Sequence, residues 1–309
     1  MRRIQYHRYG GPEELHLEQV ELPQPGRGAV RVQVKAAAVN PMDWGIRQGA
    51  IKILTGRQFP RGLGHDFAGV VDALGPGVRS LKVGDEIFGA TGLKEAGAFA
   101  DALIADEKHV MRKPPRLSFA QAASLTIVSV TAWTALIEKA KLRAGQSVFV
   151  VGCLGGVGRA AVQIALMHGA RVAGSCSASG RAEALALGVS EAVDYRQFDV
   201  ARYARRFDII LDVPAALSMR QSGSMLKRGG VAVHLDARPR TLLRCLFSRR
   251  HIAVIANPKP GTMAGIVEAA EQGKLVPKIG RAVPMSDAIA AITELETTGL
   301  PKGRLVIVP

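Results

Sequence analysis

The alternation of apolar and polar residues divides the chain into a β-rich beginning, a middle of alternating strands and helices, and a mixed end. Residues 30–35 alternate apolar and polar side chains, which is typical of a half-buried strand, and residues 67–71 form a short apolar run that predicts a more deeply buried one. Glycine and proline recur between these segments and predict tight turns. We therefore expect a small, irregular, mainly antiparallel barrel or sandwich at the N-terminus.

After Pro114 and Pro115 the pattern changes to strands that alternate with helices. Predicted strands cover residues 147–151, 171–174, 207–212, 230–235 and 252–256, and predicted helices cover residues 118–124, 130–139, 157–168 and 181–187. Strands separated by helices imply right-handed crossovers and a parallel sheet that is covered on both faces. The middle of the chain therefore predicts a doubly wound domain.

The last part of the chain is too short to form a domain of its own. It contains two predicted helices at residues 262–272 and 286–296 and a closing strand at residues 304–308. We infer that it folds back onto the N-terminal part. The predicted domains are a discontinuous β-rich domain of residues 1–118 and 259–309 and, inserted in it, a doubly wound domain of residues 119–258, with a cleft between the two.

Composition and charge narrow the class of protein. The 309 residues predict two domains, and 48% apolar with 22% charged residues exclude intrinsic disorder and a disulfide scaffold. The cysteines Cys153, Cys176 and Cys245 form no CxxC pair, which disfavours a cysteine-rich metal site and favours a reducing compartment. The N-terminus has no apolar run of signal-peptide length, so we expect a cytoplasmic protein. The net charge of +15 favours an anionic partner.

A glycine-rich turn follows the first strand of the predicted parallel domain. The sequence GCLGGVG at residues 152–158 lies between the strand at residues 147–151 and a helix, and this order is the context that a dinucleotide-binding site requires. Gly152 permits a sharp turn, and Gly155 and Gly156 let the backbone approach a pyrophosphate at the helix N-terminus. The turn therefore predicts a dinucleotide cofactor.

The residues after the second predicted strand favour NADPH over NADH. An NADH site carries an acidic residue there, which binds the ribose hydroxyl groups, but this chain has Ser175, Ser177 and Arg181 and no acid before Glu183. A carboxylate would repel a 2′-phosphate, whereas serine hydroxyls and an arginine fork donate hydrogen bonds to it. The alternative for Arg181 is that it only begins a helix and faces solvent. Tyr195 either reaches the same phosphate or packs.

Several motifs, in the order of one family, run along nearly the whole chain. They are NPMD at residues 40–43, LGHDFAGVV at 63–71, VGDEIFG at 83–89, TAWTAL at 131–136, FDIILD at 207–212 and GRLV at 303–306. With the glycine turn, they make the chain resemble the zinc-free quinone oxidoreductase branch of the medium-chain dehydrogenase/reductase superfamily. The resemblance implies an α/β fold with a GroES-like catalytic domain and a doubly wound Rossmann domain, usually in a homodimer. Further expected contacts to NADPH are Thr131, Val157, Val213, Leu235 and Asn257.

The chain departs from the zinc alcohol dehydrogenases of the same superfamily at the positions of the metal ligands. Asn40 stands near the place of the first ligand, and Asp66 replaces the glutamate that follows the histidine, here His65. One histidine without thiolates cannot complete a tetrahedral zinc site, so we expect no metal. His65 is then either a satisfied structural or cleft-lining histidine or a catalytic group.

Without a metal, the protein must hold the cofactor against an acceptor that needs little activation. Quinones and α,β-unsaturated carbonyl compounds are such acceptors, because hydride adds to a conjugated system and charge develops on a distant oxygen. By resemblance, Asn40 and Asp43 lie near the nicotinamide, although a turn in which both bond their own backbone around Pro41 is an equal alternative. Related enoyl reductases place a tyrosine proton donor a few residues later, and residues 47–51 contain none. The candidate catalytic residues are Asn40, Asp43 and His65.

Two other functions stay open. One is reduction of 2-alkenals or enoyl thioesters, and the other is an NADPH-binding protein that acts through a basic surface on nucleic acid or membrane. The basic cluster of Arg238, Arg240, Arg244, Arg249, Arg250 and His251 surrounds Leu242, Leu243, Leu246 and Phe247. It either touches acidic lipid, a lipophilic quinone or nucleic acid, or forms a solvated face. Because aromatic residues make up only 5% of the chain, we expect no nucleic acid, and no apolar run is long enough for stable membrane insertion.

Overall fold

Both ends of the chain belong to the same structural unit. The structure, a computed structural model, describes residues 1–235, 239–256, 259–299 and 303–309. Unit 1 comprises Met1–Ile127 and Pro277–Pro309, and unit 2 comprises Val128–Val276. The β-rich unit is thus discontinuous, as the sequence pattern predicts.

Strands and helices follow one another through the described residues as follows. The strands are β1 Arg2–Tyr6, β2 His16–Gln19, β3 Ala29–Ala38, β4 Arg61–Gly62, β5 Asp66–Leu74, β6 Glu86–Ala90, β7 Ala102–Asp106, β8 Val110–Arg112, β9 Ser147–Val151, β10 Arg171–Cys176, β11 Glu191–Asp194, β12 Phe207–Asp212, β13 Leu226–His234, β14 His251–Ala253, β15 Ile279–Pro284 and β16 Arg304–Val308. The helices are α1 Pro41–Arg47, α2 Lys52–Thr55, α3 Phe119–Ala123, α4 Thr126–Trp133, α5 Gly156–Met167, α6 Arg181–Ala186, α7 Met219–Met225, α8 Pro239–Leu246, α9 Pro260–Glu271 and α10 Ala288–Thr298.

The boundaries between the two units fall later in the chain than the predicted ones. Residues 119–127 belong to unit 1, because α3 packs on β3 and β5 and buries Ala122 and Ala123 there. Residues 259–276 belong to unit 2, where the side-chain amide of Gln163 accepts from the backbone N–H of Val276 at 2.9 Å. The chain therefore leaves each unit one helix later than the change of pattern indicates.

Unit 1 is built from two sheets. The larger has the strand order β15-β16-β3-β5-β6-β8, with β7 also paired to β3, and the smaller has the order β2-β1-β4. In β3 the side chains of Val30, Val32 and Val34 are buried while those of Gln33 and Lys35 are exposed. The predicted alternation is confirmed. The strand continues past Lys35 through three buried alanines and ends at Ala38.

The C-terminal segment completes the larger sheet of unit 1. Strand β16 pairs antiparallel with the end of β3, with Val306 opposite Ala38, and β15 pairs parallel with β16. Helix α10 buries an apolar stripe in the same core, and Glu296 on this helix accepts two hydrogen bonds from Arg47 on α1. The prediction that this segment folds back onto the N-terminal part is confirmed.

Unit 2 contains one parallel sheet in the order β11-β10-β9-β12-β13-β14. At its base Phe149 of β9 lies against the rings of Phe198, Tyr203 and Phe207, with ring centroids 5.2, 5.6 and 5.1 Å away. Helices connect the strands, so the predicted doubly wound domain is confirmed. In the described part of the chain no helix has the length and apolar composition to cross a membrane.

Three predicted elements of unit 2 differ by three or more residues from the observed bounds. Strand β13 begins at Leu226 rather than 230, because Leu226 pairs with Phe207 of β12. Strand β14 ends at Ala253 rather than 256, because its partner β13 ends at His234, opposite Ala253. Helix α4 begins at Thr126 rather than 130 and runs into a π-helical turn at Thr134–Lys139.

Candidate functional site

The glycine turn joins β9 to the N-terminus of α5. Gly152 has φ +73°, a backbone conformation that favours glycine, and a Cβ atom at Gly158 would lie 2.0 Å from the carbonyl oxygen of Gly152. Gly155 is the N-cap of α5 and provides no side-chain cap. The first N–H groups of a helix have no partner within it, so this end of α5 presents donors to an anion. These features fit the pyrophosphate of a dinucleotide.

The turn lies at the point where the strand order of the sheet reverses. Strand β9 has β10 on one side and β12 on the other, and ligands of doubly wound sheets bind at such a switch point, beyond the carboxyl ends of the strands. Val213 and Leu235 follow the carboxyl ends of β12 and β13 and are half-buried, as is Val157 in the first turn of α5. Thr131 lies half-buried on α4, and Asn257 lies outside the described residues.

Ser175 lies against the glycine turn. Its side chain is buried, and its hydroxyl accepts a hydrogen bond from the backbone N–H of Gly152 at 3.2 Å. Its carbonyl oxygen accepts another from the N–H of Cys153 at 2.9 Å. Ser175, the next-to-last residue of β10, therefore holds the glycine turn in place.

The other predicted residues gather at the carboxyl ends of β10 and β11. Ser177 is half-buried, and its hydroxyl oxygen lies 3.3 Å from that of Ser179. Arg181 is exposed, and its Nε donates to the carbonyl oxygen of Ala192 at 3.1 Å. Tyr195 is also exposed rather than packed. Two hydroxyls, a guanidinium and a phenol are thus available at one edge of the sheet.

A carboxylate that sequence spacing missed lies at the same edge. Asp194 ends β11 directly opposite Cys176, the last residue of β10, and accepts from the backbone N–H of Arg196 at 3.1 Å. The acid that spacing did find, Glu183, forms an ion pair with Arg159 and is thereby neutralised. Only the parallel pairing of β10 with β11, a strand that the sequence pattern does not predict, brings Asp194 to this place.

In unit 1 the predicted residue Asn40 belongs to a buried polar cluster. Its side-chain nitrogen donates to Asp66 at 3.0 Å, and its side-chain oxygen accepts from Nη2 of Arg304 at 2.7 Å. All three side chains are buried. Both ends of the Asn40 amide are therefore bonded within unit 1, which differs from the predicted contact with substrate or carboxamide. The amide instead ties β16 to the ends of β3 and β5.

Asp43 and His65 form a second part of this cluster. One carboxylate oxygen of Asp43 accepts from the backbone N–H of Asn40 at 2.8 Å, as the predicted turn around Pro41 requires. The other lies 2.8 Å from Nδ1 of His65. Nε2 of His65 is buried and has no hydrogen-bond partner among the described residues. Asp43 therefore fixes the orientation of the imidazole and leaves one ring nitrogen for another group.

Burial dominates the electrostatics of Asp66. It raises the pKa of this carboxyl group to about 7, against the opposing effects of Arg304, the Asn40 amide and the backbone N–H of Ile127. Burial also lowers the pKa of Arg304, whose nearest nitrogen is 3.8 Å from Asp66. The side-chain amide of Asn40 donates to Asp66 and accepts from Arg304, so it bridges the two buried groups.

We expect this carboxyl group to influence how stability depends on pH. Since its pKa is higher in the folded protein than in the unfolded chain, Asp66 contributes stability that is fully present below about pH 4 and is lost as the pH rises toward its folded pKa of about 7. Between about pH 5 and 6.5 the free energy of unfolding should fall by about 1.4 kcal/mol per pH unit relative to Asp66→Asn. Urea unfolding of both proteins measures this. A difference that is constant with pH would contradict the assignment.

The donor groups in the described ranges do not fit a tetrahedral zinc site. Within 1–235, 239–256, 259–299 and 303–309, no group of three or more histidine, cysteine, aspartate or glutamate side chains could hold a metal ion. His65 is bonded to Asp43 in unit 1, whereas the three cysteines belong to unit 2 and are buried there. Thiolates and a second imidazole, which zinc prefers, are absent around His65 in that part of the chain.

Comparison with known proteins agrees with this architecture. Residues 26–115 match the family described as alcohol dehydrogenase GroES-like domain, and residues 187–307 match the one described as zinc-binding dehydrogenase. The quinone oxidoreductase of Homo sapiens is 30% identical over 94% of this chain and 92% of its own length. The 2-methylene-furan-3-one reductase of Solanum lycopersicum is 33% identical over 100% of this chain and 79% of its own length. The solved structure of the quinone oxidoreductase from Coxiella burnetii is 28% identical, with a TM-score of 0.91 over 100% and 99% of the chains.

Proposed function

We propose that this chain, which belongs to the quinone oxidoreductase branch of the medium-chain dehydrogenase/reductase superfamily, reduces quinones and other conjugated carbonyl compounds. In this proposal the reductant is NADPH and no metal takes part. The relationship makes it an oxidoreductase of the quinone reductase type that binds a nicotinamide cofactor. The single observation that carries the finer proposal is the set of donors at the end of β10, where an NADH site would carry a carboxylate.

The cofactor choice follows from charge at that edge. Ser177, Ser179 and Arg181 offer two hydroxyls and a guanidinium to a 2′-phosphate, and an arginine fork suits phosphate oxygens. Asp194 opposes this attraction from the end of β11. The N-terminus of α5 would hold the pyrophosphate, and when bound the cofactor supplies a hydride to the acceptor.

The proposed acceptor class follows from the donor set around His65. Since the donor set around His65 does not fit zinc, a simple ketone would lack a Lewis acid to polarise it. Quinones and enones need less polarisation, because the charge that develops is delocalised over a conjugated system. The names of the human and tomato relatives, a quinone oxidoreductase and a 2-methylene-furan-3-one reductase, support this class.

His65 is the proposed proton donor. Hydride addition to an enone leaves an anion that must gain a proton, and Nε2 of His65 is a buried ring nitrogen with no partner among the described residues. Asp43 accepts from Nδ1–H of the same ring at 2.8 Å, so the donor in this proposal is the doubly protonated imidazolium ring, in which Nε2 also carries a proton. A hydroquinone anion takes its proton from water more readily than a carbon centre does, so quinones depend less on this residue.

The test is steady-state oxidation of NADPH with a benzoquinone, an enone, a 2-alkenal, an enoyl thioester and a simple ketone. We expect turnover with the quinone and the enone and none with the ketone. His65→Gln should lower kcat with the enone about tenfold, since water replaces the donor only in part, and change the quinone rate less than about threefold. His16→Gln, an exposed histidine of the same unit, is the matched control.

Other results would contradict the proposal. No turnover with any acceptor, although NADPH binds, would favour a binding protein, and preference for the thioester would favour an enoyl reductase. Stoichiometric zinc in the purified protein, with activity lost to a chelator, would overturn metal independence. We also propose a homodimer in the cytoplasm, which sedimentation and cell fractionation test.

A further inference from the structure

Helix α8 and the residues after it form a surface that the proposed reaction does not use. The side chains of Leu243, Leu246 and Phe247 are 59%, 77% and 82% exposed, and Arg244, Arg249 and Arg250 are exposed beside them. We name this set the basic apolar surface; it comprises Leu243, Arg244, Leu246, Phe247, Arg249 and Arg250. It belongs wholly to unit 2.

The orientation of α8 explains the exposure. Leu243 and Leu246 are spaced by three residues and therefore lie on one side of the helix, and Phe247 follows directly after its last residue. Cys245 is buried on the other side, where α8 packs against β14. A surface helix ordinarily turns its apolar stripe to the core and its charges to water. Here the outward side carries both large apolar side chains and arginines, which is the composition of a helix that lies in a membrane interface.

The charge of the segment restricts what can cover it. Residues 237–267 contain six lysine and arginine residues and no aspartate or glutamate, in a chain of net charge +15. A second copy of the chain meeting this surface about a twofold axis would place the same surface against itself, and like charges facing each other are repulsive. A bilayer with anionic lipids offers phosphate groups to the arginines and acyl chains to the leucines and phenylalanine.

We propose that the basic apolar surface docks the protein on the surface of an anionic lipid bilayer. Leu243, Leu246 and Phe247 enter the boundary between headgroups and acyl chains, while the arginines bind lipid phosphates. Helix α8 has eight residues, far fewer than the roughly 20 that span a bilayer, so the docking is peripheral. The proposal concerns lipid alone and does not depend on which acceptor the protein reduces.

The experiment is flotation of the full chain with vesicles of phosphatidylcholine alone and of phosphatidylcholine with about 30% phosphatidylglycerol. We expect binding to the anionic vesicles, at least about tenfold weaker binding to the neutral ones, and release at high salt, because each arginine near the surface contributes electrostatically. Leu243→Glu and Phe247→Glu should each reduce the partition coefficient about tenfold, since each replaces inserted apolar area by a charge that anionic lipids repel.

Val83→Glu is the matched control, because Val83 is 59% exposed, as Leu243 is, but lies in unit 1. It should bind vesicles like the unchanged protein, and equal melting temperatures show that all variants fold. Equal binding to neutral and anionic vesicles, or unchanged binding of both surface variants, would overturn the proposal. So would conversion of a dimer to a monomer by Leu243→Glu in sedimentation equilibrium, because the surface would then be a subunit interface.

Discussion

Replacement of Arg181 by alanine is expected to raise the KM for NADPH about 50-fold and to leave the KM for NADH within about twofold. Nε of Arg181 is bonded to the carbonyl oxygen of Ala192 at 3.1 Å, which holds the guanidinium at the end of β10 while the side chain stays exposed. The two cofactors differ by the 2′-phosphate, so only NADPH loses a charge-assisted hydrogen bond. A factor of 50 corresponds to about 2.3 kcal/mol, within the range for such bonds. Steady-state kinetics with each cofactor at saturating quinone measure both constants.

Two further variants separate a direct contact from a general loss of positive charge. Arg202→Ala removes an exposed guanidinium that lies 3.7 Å from Asp199, and it should leave both KM values within about twofold. Asp194→Asn removes the carboxylate opposite Cys176. Because this carboxylate repels the 2′-phosphate, its loss should lower the KM for NADPH about threefold. If Arg181→Ala changes both cofactors equally, Arg181 does not select between them.

Replacement of Glu296 by glutamine is expected to lower the free energy of unfolding by about 3 kcal/mol. Nη2 of Arg47 donates to both carboxylate oxygens of Glu296 at 2.8 and 2.7 Å, and the two side chains are 0% and 10% exposed. Glutamine leaves the guanidinium buried without its counter-charge, which is the costly way to break a buried ion pair. Denaturant unfolding followed by tryptophan fluorescence, to which Trp44 of unit 1 contributes, measures the change.

Two further variants test whether burial is the reason that Glu296→Gln lowers the free energy of unfolding. Glu294→Gln on the same helix breaks an ion pair with Arg281, in which the glutamate is 62% exposed, and should change stability by less than about 1 kcal/mol. The double variant Arg47→Met with Glu296→Leu should recover most of the loss, because apolar replacement removes both buried charges. Equal losses for Glu296→Gln and Glu294→Gln would contradict the role given to burial.

The glycine turn shows what can be predicted from local sequence. A strand, a glycine turn and a helix follow one another within residues 147–167, so their geometry depends on neighbours along the chain. The structure has β9, the turn with its positive φ at Gly152, and α5 in this order. Strand β3 is also predictable from local sequence, because the alternation of its apolar and polar residues shows which face of the strand is turned to the core.

The roles of single polar side chains could not be predicted in this way. Ser175 has the right spacing for a phosphate contact, but the hydroxyl accepts from Gly152. Asn40 stands in a family motif, yet its amide joins Asp66 to Arg304, and Arg304 is far away along the chain. The hydrogen-bond partner of a polar group is the group that the fold places within about 3 Å of it. The spacing of residues along the chain does not give that distance.

By itself the sequence determined the alternation of elements, the discontinuous β-rich unit, the doubly wound unit and the place of the glycine turn, because these follow from periodicity and from backbone preferences that act over a few residues. Tertiary structure alone decided that Asp194 joins the end of β10, that Asp43 orients His65 and that α8 turns Leu243 and Leu246 outward. Each of these depends on how two distant segments pack, and packing brings charges and apolar surfaces together across separations that no local pattern encodes.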